Sequence, residues 1–426
     1  MGQQGHLWSG MTAHGRMAAT WGVDNPLMNP LLATLQPYPF ERLRQLFSTI
    51  TPNPAYRPIS LGIGEPKHAT PQFIKDTLTA SLGGLAGYPP TAGEPKLREA
   101  FTGWLQRRYG LDVKTEQVLP VNGTREGLFA FTQTISDPKP GPDGARPVVI
   151  CPNPFYQIYE GAALLAGAEP YYVPSDPARN FAVDWDSVPA DVWTRTQMIF
   201  VCSPGNPTGA VMPLAEWKKL FDLSEQYGFV IASDECYSEI YFRDEPPLGG
   251  LEAAHQLGRR DFHNLVAFTS LSKRSNVPGM RSGFVAGDAA LIKQFLLYRT
   301  YHGSAMPLPV QAASIAAWGD EQHVIENRAM YRAKFAQVTP LLAGVMDVAL
   351  PDAGFYLWAD VGGSDTGFAA KLLAQYNVTV LPGSYLAREA AGFNPGAGRI
   401  RMALVAETAE CVEAATRIVN FVKQNS

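Results

Sequence analysis

Four short apolar segments, separated by helical patterns and turns, constrain the fold of this chain more than any other feature. Each is rich in apolar and β-branched residues and is followed by Pro, Ser or Asp, a pattern that predicts a buried strand. A helix is predicted over 157–167, and another begins at Pro213 and ends at Gly228. Because strands that alternate with helices form a mostly parallel sheet covered on both faces, the sequence predicts an α/β fold with a three-layer αβα large domain. The four predicted strands are residues 147–151, 197–202, 229–233 and 265–269.

The pattern changes after about residue 320, where a long charged helix is predicted over 321–343. Two or three strands and a terminal helix capped by Thr408 follow it, and this order predicts a smaller α+β domain. The strands are predicted at 355–361, 378–381 and 399–404. The predicted divisions are an N-terminal segment at 28–75 that packs with the small domain, the large domain at 76–320, and the small domain at 321–426.

Residues 1–27 are unlike the rest of the chain. They contain one Arg, one Asp and many small residues, without the apolar stretch of a signal peptide or the Arg-rich character of a transit peptide. We expect a leader or upstream extension without function, with Met28 as the natural beginning.

Composition narrows the classes of function. The chain has 426 residues, of which 46% are apolar, and a formal net charge of −4, whereas nucleic-acid-binding proteins usually carry a basic excess. No segment is long and apolar enough to predict a membrane span. The four Cys are widely spaced and the seven His lack metal-ligand spacing. These features predict a cytoplasmic protein with reduced thiols and no metal, nucleic-acid or membrane partner.

Polar or aromatic side chains follow each of the four predicted strands. They are Tyr156, Asn206, Asp234 with Tyr237, and Lys273. Ligands of open α/β sheets bind beyond the carboxyl ends of the strands, so we expect these side chains to converge. A lysine against apolar walls can form a Schiff base, and a pyridine cofactor needs a carboxylate beside its ring nitrogen. A phenol and an amide can bind the oxygen of such a ring, and an aromatic side chain can stack on its face.

A phosphate site is predicted beside these residues. The turn Asn122-Gly123-Thr124 precedes a helical pattern, and the N-terminus of a helix offers backbone N–H groups to an anion. Arg281, eight residues beyond Lys273, fits as the cation. The set as a whole predicts a site for a phosphorylated pyridine.

Several motifs resemble those of the fold-type I, class I/II pyridoxal-phosphate aminotransferases. They are SPGNPTG at 203–209, SDECY at 233–237, SLSK at 270–273 followed by Arg281, the segment at 63–66 and the segment at 399–401. The resemblance covers essentially all of 28–426 and implies an aspartate aminotransferase-like fold with pyridoxal 5'-phosphate as cofactor. It implies that Lys273 forms the Schiff base and carries the proton, with Asp234 as partner of the ring nitrogen.

The resemblance also implies roles for other residues. Tyr237 and Asn206 would bind the ring oxygen, and Tyr156 would stack on the ring. Gly123, Thr124, Ser270, Ser272 and Arg281 would hold the phosphate, together with Tyr88 of a neighbouring subunit, so a homodimer with shared sites is implied. Arg401 would bind the α-carboxylate of the substrate, with Asn206 and the backbone of Gly64 beside it.

Some neighbouring residues have competing interpretations. Phe155 could replace Tyr156 as the stacking side chain. Glu235 is expected to hold a loop, and Arg399 to be a structural or surface charge. The short glycine motif at 62–64 lacks the third glycine of a dinucleotide fingerprint, so a nicotinamide cofactor is disfavoured.

The segments at 28–40, 62–71 and 153–159 resemble one branch of the family, the N-succinyldiaminopimelate aminotransferases of bacterial lysine biosynthesis. This implies glutamate as donor and a keto acid with a distal carboxylate. Candidate cations for that carboxylate are Lys67, Arg125 and Arg388, although a helix-surface charge is the alternative for Arg125. No dedicated second-carboxylate arginine is apparent, which disfavours aspartate specificity.

The alternatives are an aspartate, alanine or aromatic aminotransferase and a C–S β-lyase. A cofactor-sensing regulator would need a DNA-binding module, and a catalytically inactive binding protein would be expected to lack Lys273.

Overall fold

The structure, a computed structural model, describes residues 28–139, 141 and 144–425. The leader predicted at 1–27 lies outside the described residues. The strands are β1 (Ile59–Ser60), β2 (Val118–Val121), β3 (Val148–Asn153), β4 (Glu169–Asp176), β5 (Ala182–Val183), β6 (Thr196–Cys202), β7 (Val230–Asp234), β8 (Leu265–Ser270), β9 (Gly283–Gly287), β10 (Tyr356–Asp360), β11 (Val378–Thr379), β12 (Leu381–Pro382) and β13 (Arg399–Ala403).

The α-helices connect these strands and cover the sheet. They are α1 (Pro39–Phe47), α2 (Gln72–Ala80), α3 (Pro95–Tyr109), α4 (Thr124–Ile135), α5 (Ile158–Leu165), α6 (Ala190–Arg195), α7 (Leu214–Tyr227), α8 (Gly250–Gln256), α9 (Leu271–Arg274), α10 (Ala289–His302), α11 (Leu308–Gly319), α12 (Gln322–Ala343), α13 (Asp365–Tyr376) and α14 (Thr408–Asn425).

An eight-stranded sheet forms the centre of the larger region, in the order β2-β9-β8-β7-β6-β3-β4-β5. The strands β8, β7, β6, β3 and β4 run parallel to one another, whereas β9 is antiparallel to both β2 and β8, and β5 is antiparallel to β4. All four strands predicted from apolar segments are present in this parallel part. The predicted α/β fold class is therefore confirmed.

Apolar side chains of the parallel strands alternate between the two faces of the sheet. Ile199 and Ile231 join one core cluster, while Met198 and Phe200 join the cluster on the opposite face. Because side chains of a strand alternate with a period of two, a continuous apolar segment is what a strand covered on both faces requires. The helices on both faces bury these clusters.

Helix α7 shows how local sequence ends an element. It begins directly after Pro213 and ends at Gly228, whose φ of 78° is left-handed. That backbone conformation favours glycine because a Cβ would be strained there. The chain then enters β7, which carries Asp234 as its last residue.

A third apolar cluster of the fold surrounds a three-stranded sheet ordered β10-β13-β12. The strand predicted at 378–381 is two short strands, since β11 pairs with β1 and β12 pairs with β13. Ile59 and Leu61 belong to this cluster together with side chains of α12 and α14. The division into 28–75, 76–320 and 321–426 stays a prediction. Every helix that the structure describes is too short or too polar to cross a lipid bilayer.

Candidate active site

A cavity of about 790 Å³ lies at the carboxyl ends of the central parallel strands. It brings together twelve of the side chains or backbone positions predicted from the sequence. They are Gly64, Thr124, Arg125, Tyr156, Asn206, Asp234, Tyr237, Ser270, Ser272, Lys273, Arg281 and Arg401. These residues are separated by up to 337 positions in the chain, from Gly64 to Arg401, so the fold creates the site.

Lys273 follows β8 on the four-residue helix α9. Its Nζ donates a 3.0 Å hydrogen bond to the carbonyl oxygen of Gly64 and lies 5.2 Å from the centre of the Phe355 ring. Burial lowers the pKa of Lys273 to about 8, and the positive charge of Arg401 acts in the same direction. This burial favours the neutral amine, the form that acts as a nucleophile.

Asp234 ends β7 and is buried at the floor of the cavity. Its Oδ2 accepts a 2.8 Å hydrogen bond from the hydroxyl of Tyr159, and its Oδ1 accepts one of 3.4 Å from the backbone N–H of Cys236. Burial raises the pKa of Asp234, whereas these bonds and the charge of Lys273 oppose that rise. The carboxylate thus has partners that favour its charged form.

Sequence reasoning missed Tyr159 and Cys236 as parts of this site. Tyr159 lies in the predicted helix after the first strand, three residues beyond Tyr156, but nothing local indicates that its hydroxyl reaches Asp234. The thiol of Cys236 lies 2.8 Å from the hydroxyl oxygen of Thr124 and 3.7 Å from that of Ser270. Cys236 therefore connects the carboxylate region with the predicted phosphate region.

The predicted phosphate region is at the N-terminus of α4. Thr124 is the first residue of that helix, and Gly123 before it has a φ of 81°. A Cβ on Gly123 would lie 2.2 Å from Nη2 of Arg281, so the absence of a side chain allows the guanidinium to approach the helix end. Ser270 and Ser272 contribute hydroxyls to the same cavity. Exposed helix N–H groups, hydroxyls and an Arg are a suitable set for a phosphate.

Of the two aromatic candidates, Tyr156 lines the cavity and Phe155 does not. Phe155 is buried in the core, where its ring stacks on that of Tyr172 at a centroid distance of 5.3 Å. Tyr156 accepts a hydrogen bond from Nε of Arg125. The alternative in which Phe155 stacks on a ligand is therefore wrong.

Arg401 is buried on β13 and lines the cavity. Its Nη1 donates to Oδ1 of Asn206 and its Nη2 to the carbonyl oxygen of Gly62, both at 3.0 Å. The guanidinium carbon lies 4.3 Å from the centre of the Tyr356 ring. Its Nε has no hydrogen-bond partner among the residues that the structure describes. A buried, incompletely satisfied guanidinium suits an anionic ligand.

Tyr356, which packs against Arg401, also lies close to Tyr237 and Gly64. Its hydroxyl lies 3.1 Å from that of Tyr237. A Cβ on Gly64 would lie only 1.9 Å from the same hydroxyl oxygen, so this position requires glycine. Tyr356 had no role in the sequence-based interpretation, because an aromatic residue in a strand is most often core.

The three candidate cations for a distal carboxylate differ in their position relative to the cavity and in their ion pairs. Arg125 lines the cavity and forms no ion pair with any carboxylate among the described residues. Arg388 lies outside the lining, and its Nε and Nη2 donate to the two carboxylate oxygens of Glu160 at 2.7 and 2.6 Å. Lys67 is exposed and does not line the cavity either. Only Arg125 is therefore placed to meet a ligand.

Several remaining candidates lie around the cavity. Glu235 accepts hydrogen bonds from the backbone N–H of Gly250 at 2.7 Å and from Ser233 at 2.8 Å, as expected of a structural residue, and burial raises its pKa to about 7. Arg399 lies 3.6 Å from a carboxylate oxygen of Asp360. Tyr88 is fully exposed and outside the cavity lining. Among the described residues, no three His, Cys, Asp or Glu side chains are grouped to hold a metal ion.

A family model described as "Aminotransferase class I and II" matches residues 56–418. The chain belongs to this aminotransferase family. Enzymes of the family use pyridoxal phosphate, so the predicted family and cofactor are confirmed. The described residues fit that cofactor, because a helix N-terminus with an arginine, a buried carboxylate and a lysine of low pKa line one cavity.

Solved structures and curated relatives agree with this membership. An aminotransferase from Neisseria meningitidis Z2491 is 56% identical, with a TM-score of 0.89, and the match covers 92% of this chain and 100% of that one. An LL-diaminopimelate aminotransferase from Nitratidesulfovibrio vulgaris (strain DP4) is 34% identical over 92% of this chain and 98% of the relative. The 4-dedimethylamino-4-oxo-anhydrotetracycline transaminase OxyQ from Streptomyces rimosus is 35% identical over 84% and 92%.

Proposed function

We propose that this aminotransferase moves an amino group between glutamate and a keto acid of the diaminopimelate series, with N-succinyl-2-amino-6-ketopimelate as the first acceptor to test. The observation that carries the proposal is Arg125, a cation at the cavity with no carboxylate partner among the described residues. Together with Arg401 it supplies two positive charges for a substrate with carboxylates at both ends. Relatives named LL-diaminopimelate aminotransferases support the same substrate series.

In the proposed reaction, Lys273 takes and returns the proton. Pyridoxal phosphate, when bound, supplies a ring that withdraws electrons from the Cα of the substrate. The Nζ of Lys273, with a pKa of about 8, can take the proton that leaves Cα of the amino donor. In the second half of the reaction it can return a proton to Cα of the amino acid formed from the acceptor. Asp234 would hold a proton on the ring nitrogen, and the hydroxyl of Tyr159 keeps that carboxylate oriented and charged.

Arg401 would bind the α-carboxylate of donor and acceptor alike. Its planar fork matches a carboxylate, and the residue lines the cavity. Asn206 holds one of the other nitrogens through its Oδ1. Tyr237 and Asn206 would also bind the ring oxygen of the cofactor, and Tyr156 would stack on its ring. Gly123, Thr124, Ser270, Ser272 and Arg281 would hold its phosphate.

A panel of amino acceptors with glutamate as donor tests the substrate. We expect the succinylated keto acid to give a higher kcat/KM than oxaloacetate, pyruvate or phenylpyruvate, because only the long acceptor reaches both Arg401 and Arg125. LL-diaminopimelate with 2-oxoglutarate tests the unsuccinylated substrate of the relatives. A higher kcat/KM for aspartate or an aromatic substrate would contradict the proposal. Release of pyruvate from cystathionine without a keto acid would instead favour a C–S β-lyase.

Arg125→Gln separates the distal contact from the rest of the site. Loss of one charge-assisted hydrogen bond of ~1.5–3 kcal/mol should lower kcat/KM for the long acceptor by about ten- to a hundredfold. The value for alanine, which has no distal carboxylate, should change by less than about threefold. Lys67→Gln is the matched control, because Lys67 is exposed outside the cavity. Equal losses for long and short substrates in Arg125→Gln would show that Arg125 does not bind the distal end.

We also propose a cytoplasmic homodimer in which Tyr88 reaches the cofactor phosphate of the partner subunit. Tyr88 is fully exposed, and other large apolar side chains, Leu85 and Tyr301, are exposed as well, a surface more typical of an interface than of a monomer. The four free cysteines are compatible with a reducing compartment. Sedimentation should give twice the chain mass, and Tyr88→Phe should weaken binding of pyridoxal phosphate without dissociating the dimer. A monomer in solution would contradict this assembly.

A further inference from the structure

A polar cluster outside the cavity lining is hydrogen-bonded to the backbone of Lys273. It consists of His68, Asn276, Asn327 and Lys334. Asn327 and Lys334 lie on α12 and are 2% and 1% exposed, and Asn276 is also buried. None of these residues had a role in the sequence-based interpretation, and none lines the cavity.

The hydrogen bonds of the cluster define the state of His68. Its Nε2 lies 3.0 Å from Nζ of Lys334, and its Nδ1 lies 2.9 Å from Oδ1 of Asn327. An ammonium group can only donate, so with Lys334 charged the Nε2 accepts and Nδ1 carries the hydrogen of a neutral ring. Asn327 Oδ1 also accepts from Nδ2 of Asn276 at 3.0 Å. The remaining Nδ2 of Asn327 then donates to the backbone carbonyl oxygen of Lys273 at 3.2 Å.

Lys334 is an unusual residue for a buried position. It forms no ion pair with a carboxylate among the described residues, and its Nζ has the His68 ring as its hydrogen-bond partner. The charged or titratable groups around it are Glu407, Cys411 and Lys67, and burial lowers its pKa. Burying a lysine is unfavourable unless its donors are satisfied, so the bond to His68 matters for stability. That bond leaves Nδ1 of His68 as the donor to Asn327, and the amide oxygen of Asn327, which can only accept, selects the same tautomer by itself.

Hydrogen bonds and the chain segment at 64–68 form a closed ring of contacts that starts and ends at Lys273 and passes through Gly64, His68 and Asn327. Gly64 lies four residues before His68 in the same segment, and its carbonyl accepts the hydrogen bond from Nζ of Lys273. His68 bonds Asn327, and Asn327 bonds the backbone carbonyl of Lys273. The amine of Lys273 is thus bonded to the segment at 64–68 directly, through Gly64. The backbone of Lys273 is bonded to the same segment through Asn327, the partner of His68. A second contact, from Thr70 to the carbonyl of Asn276 at 2.7 Å, reinforces this connection.

We propose that His68 and Asn327 are positioning residues for Lys273, which set the placement of its amine relative to the cofactor site. The proposal rests on the role of Lys273 proposed above. Placement of a reacting group within about 1 Å can change a rate on the order of a hundredfold. We expect the clearest effect on the rate at which the cofactor-free protein binds pyridoxal phosphate, because that rate depends on the position of the Lys273 amine.

The test uses full-length protein freed of cofactor and measures two quantities for each variant. They are the unfolding temperature and the rate constant for uptake of pyridoxal phosphate, followed by its visible absorption. His68→Leu should lower both, because it breaks the ring and leaves Lys334 without its acceptor. The rate should fall by about tenfold or more. His68→Gln should stay within about threefold of wild type, since an amide offers one donor and one acceptor.

The double variant His68→Leu with Lys334→Met separates position from stability. It removes the unsatisfied buried cation, so the unfolding temperature should recover, while the broken ring should keep uptake slow. Lys334→Met alone leaves the ring intact and should take up cofactor at nearly the wild-type rate. Thr339→Val is the matched control on α12, because the buried Thr339 hydroxyl has no hydrogen-bond partner among the described residues.

Recovery of both quantities in the double variant, or an equally slow His68→Gln, would overturn the proposal and leave only a structural role. Lys273→Ala serves as the reference for the proposed function. If borohydride still fixes the cofactor to Lys273→Ala at the wild-type yield, the role of Lys273 fails. If that yield is lost while His68→Leu takes up cofactor normally, only the positioning proposal fails.

Discussion

The amine of Lys273 donates a 3.0 Å hydrogen bond to the backbone carbonyl of Gly64, a residue 209 positions earlier in the chain. Gly64 can come this close because it has no side chain to meet the hydroxyl of Tyr356. The same hydroxyl is 3.1 Å from that of Tyr237, and the Tyr356 ring packs against Arg401. One close backbone approach therefore links the lysine to the residues proposed to bind substrate.

Gly64→Ala should impair catalysis. A Cβ at this position would lie 1.9 Å from the Tyr356 hydroxyl oxygen and 2.6 Å from the ring carbon that bears it, so the segment must move and its carbonyl leaves Lys273. We expect kcat/KM for glutamate to fall by about tenfold or more. Gly319→Ala is the control, because a Cβ there meets no atom within 4 Å. Equal kinetics in the two variants would contradict the importance of this approach.

The low pKa of Lys273 predicts a pH dependence for cofactor uptake by the cofactor-free protein. Burial lowers that pKa to about 8, and only the neutral amine can attack an aldehyde. Below pH 8 the rate constant should fall about tenfold per pH unit as the amine becomes protonated, and above it the rate should level off. A rate that continues to rise towards pH 10 would indicate an amine with its ordinary pKa. Stopped-flow absorption at several pH values measures this directly.

The strands of the central sheet could be predicted because their signal is local. An apolar segment such as 197–202 suits a strand covered on both faces, and the structure has β6 there. Pairing is not local, so the antiparallel insertion of β9 between β2 and β8 had no signal in the sequence. The segment at 378–381 reads as one strand, but its two ends pair in different sheets.

The same distinction applies to the site. Residues directly after the strands, such as Asp234 and Lys273, could be predicted because the carboxyl ends of parallel strands meet at one edge. Their hydrogen-bond partners could not, since Tyr159 and Asn327 reach them only through tertiary packing. Arg388 illustrates the converse, because its sequence neighbourhood suggested contact with a ligand, whereas in the fold its Nε and Nη2 donate to Glu160.

Tyr159→Phe should weaken the proposed action of Asp234 without abolishing it. The variant removes the 2.8 Å hydrogen bond to Oδ2, so the buried carboxylate becomes less favourable and its pKa rises further. A net loss of ~1–1.5 kcal/mol corresponds to a fall in kcat of about five- to tenfold. Tyr172→Phe is the control, because its hydroxyl bonds a carboxylate of Glu160 outside the cavity. Similar kcat values for both variants would argue against support of Asp234 by Tyr159.

Asp234→Asn should have a larger effect than Tyr159→Phe. An amide keeps the size of the side chain but cannot hold a proton on a ring nitrogen by charge, so the cofactor loses its electron-withdrawing form. We expect kcat to fall by on the order of a hundred- to a thousandfold, as for removal of other electrostatic groups at reacting centres. The unfolding temperature should fall little or even rise, because a buried carboxylate is replaced by a neutral group. Retention of more than about a third of the wild-type kcat would show that Asp234 does not partner the ring.

Arg401→Lys tests the proposed binding of the α-carboxylate. In the structure the two terminal nitrogens of Arg401 hold Asn206 and Gly62, which fixes the plane of the guanidinium and directs it at the cavity. A lysine has one nitrogen and no fork, so it cannot keep both contacts and bind a carboxylate in two places. KM should rise for glutamate and for every acceptor by about tenfold or more, with a smaller change in kcat. Arg399→Lys, two residues away on the same strand, should change KM by less than about twofold, since its 3.6 Å contact to Asp360 is near the surface. A rise in KM for the acceptor alone would place Arg401 at the distal end of the substrate and contradict its assignment to the carboxylate that donor and acceptor share.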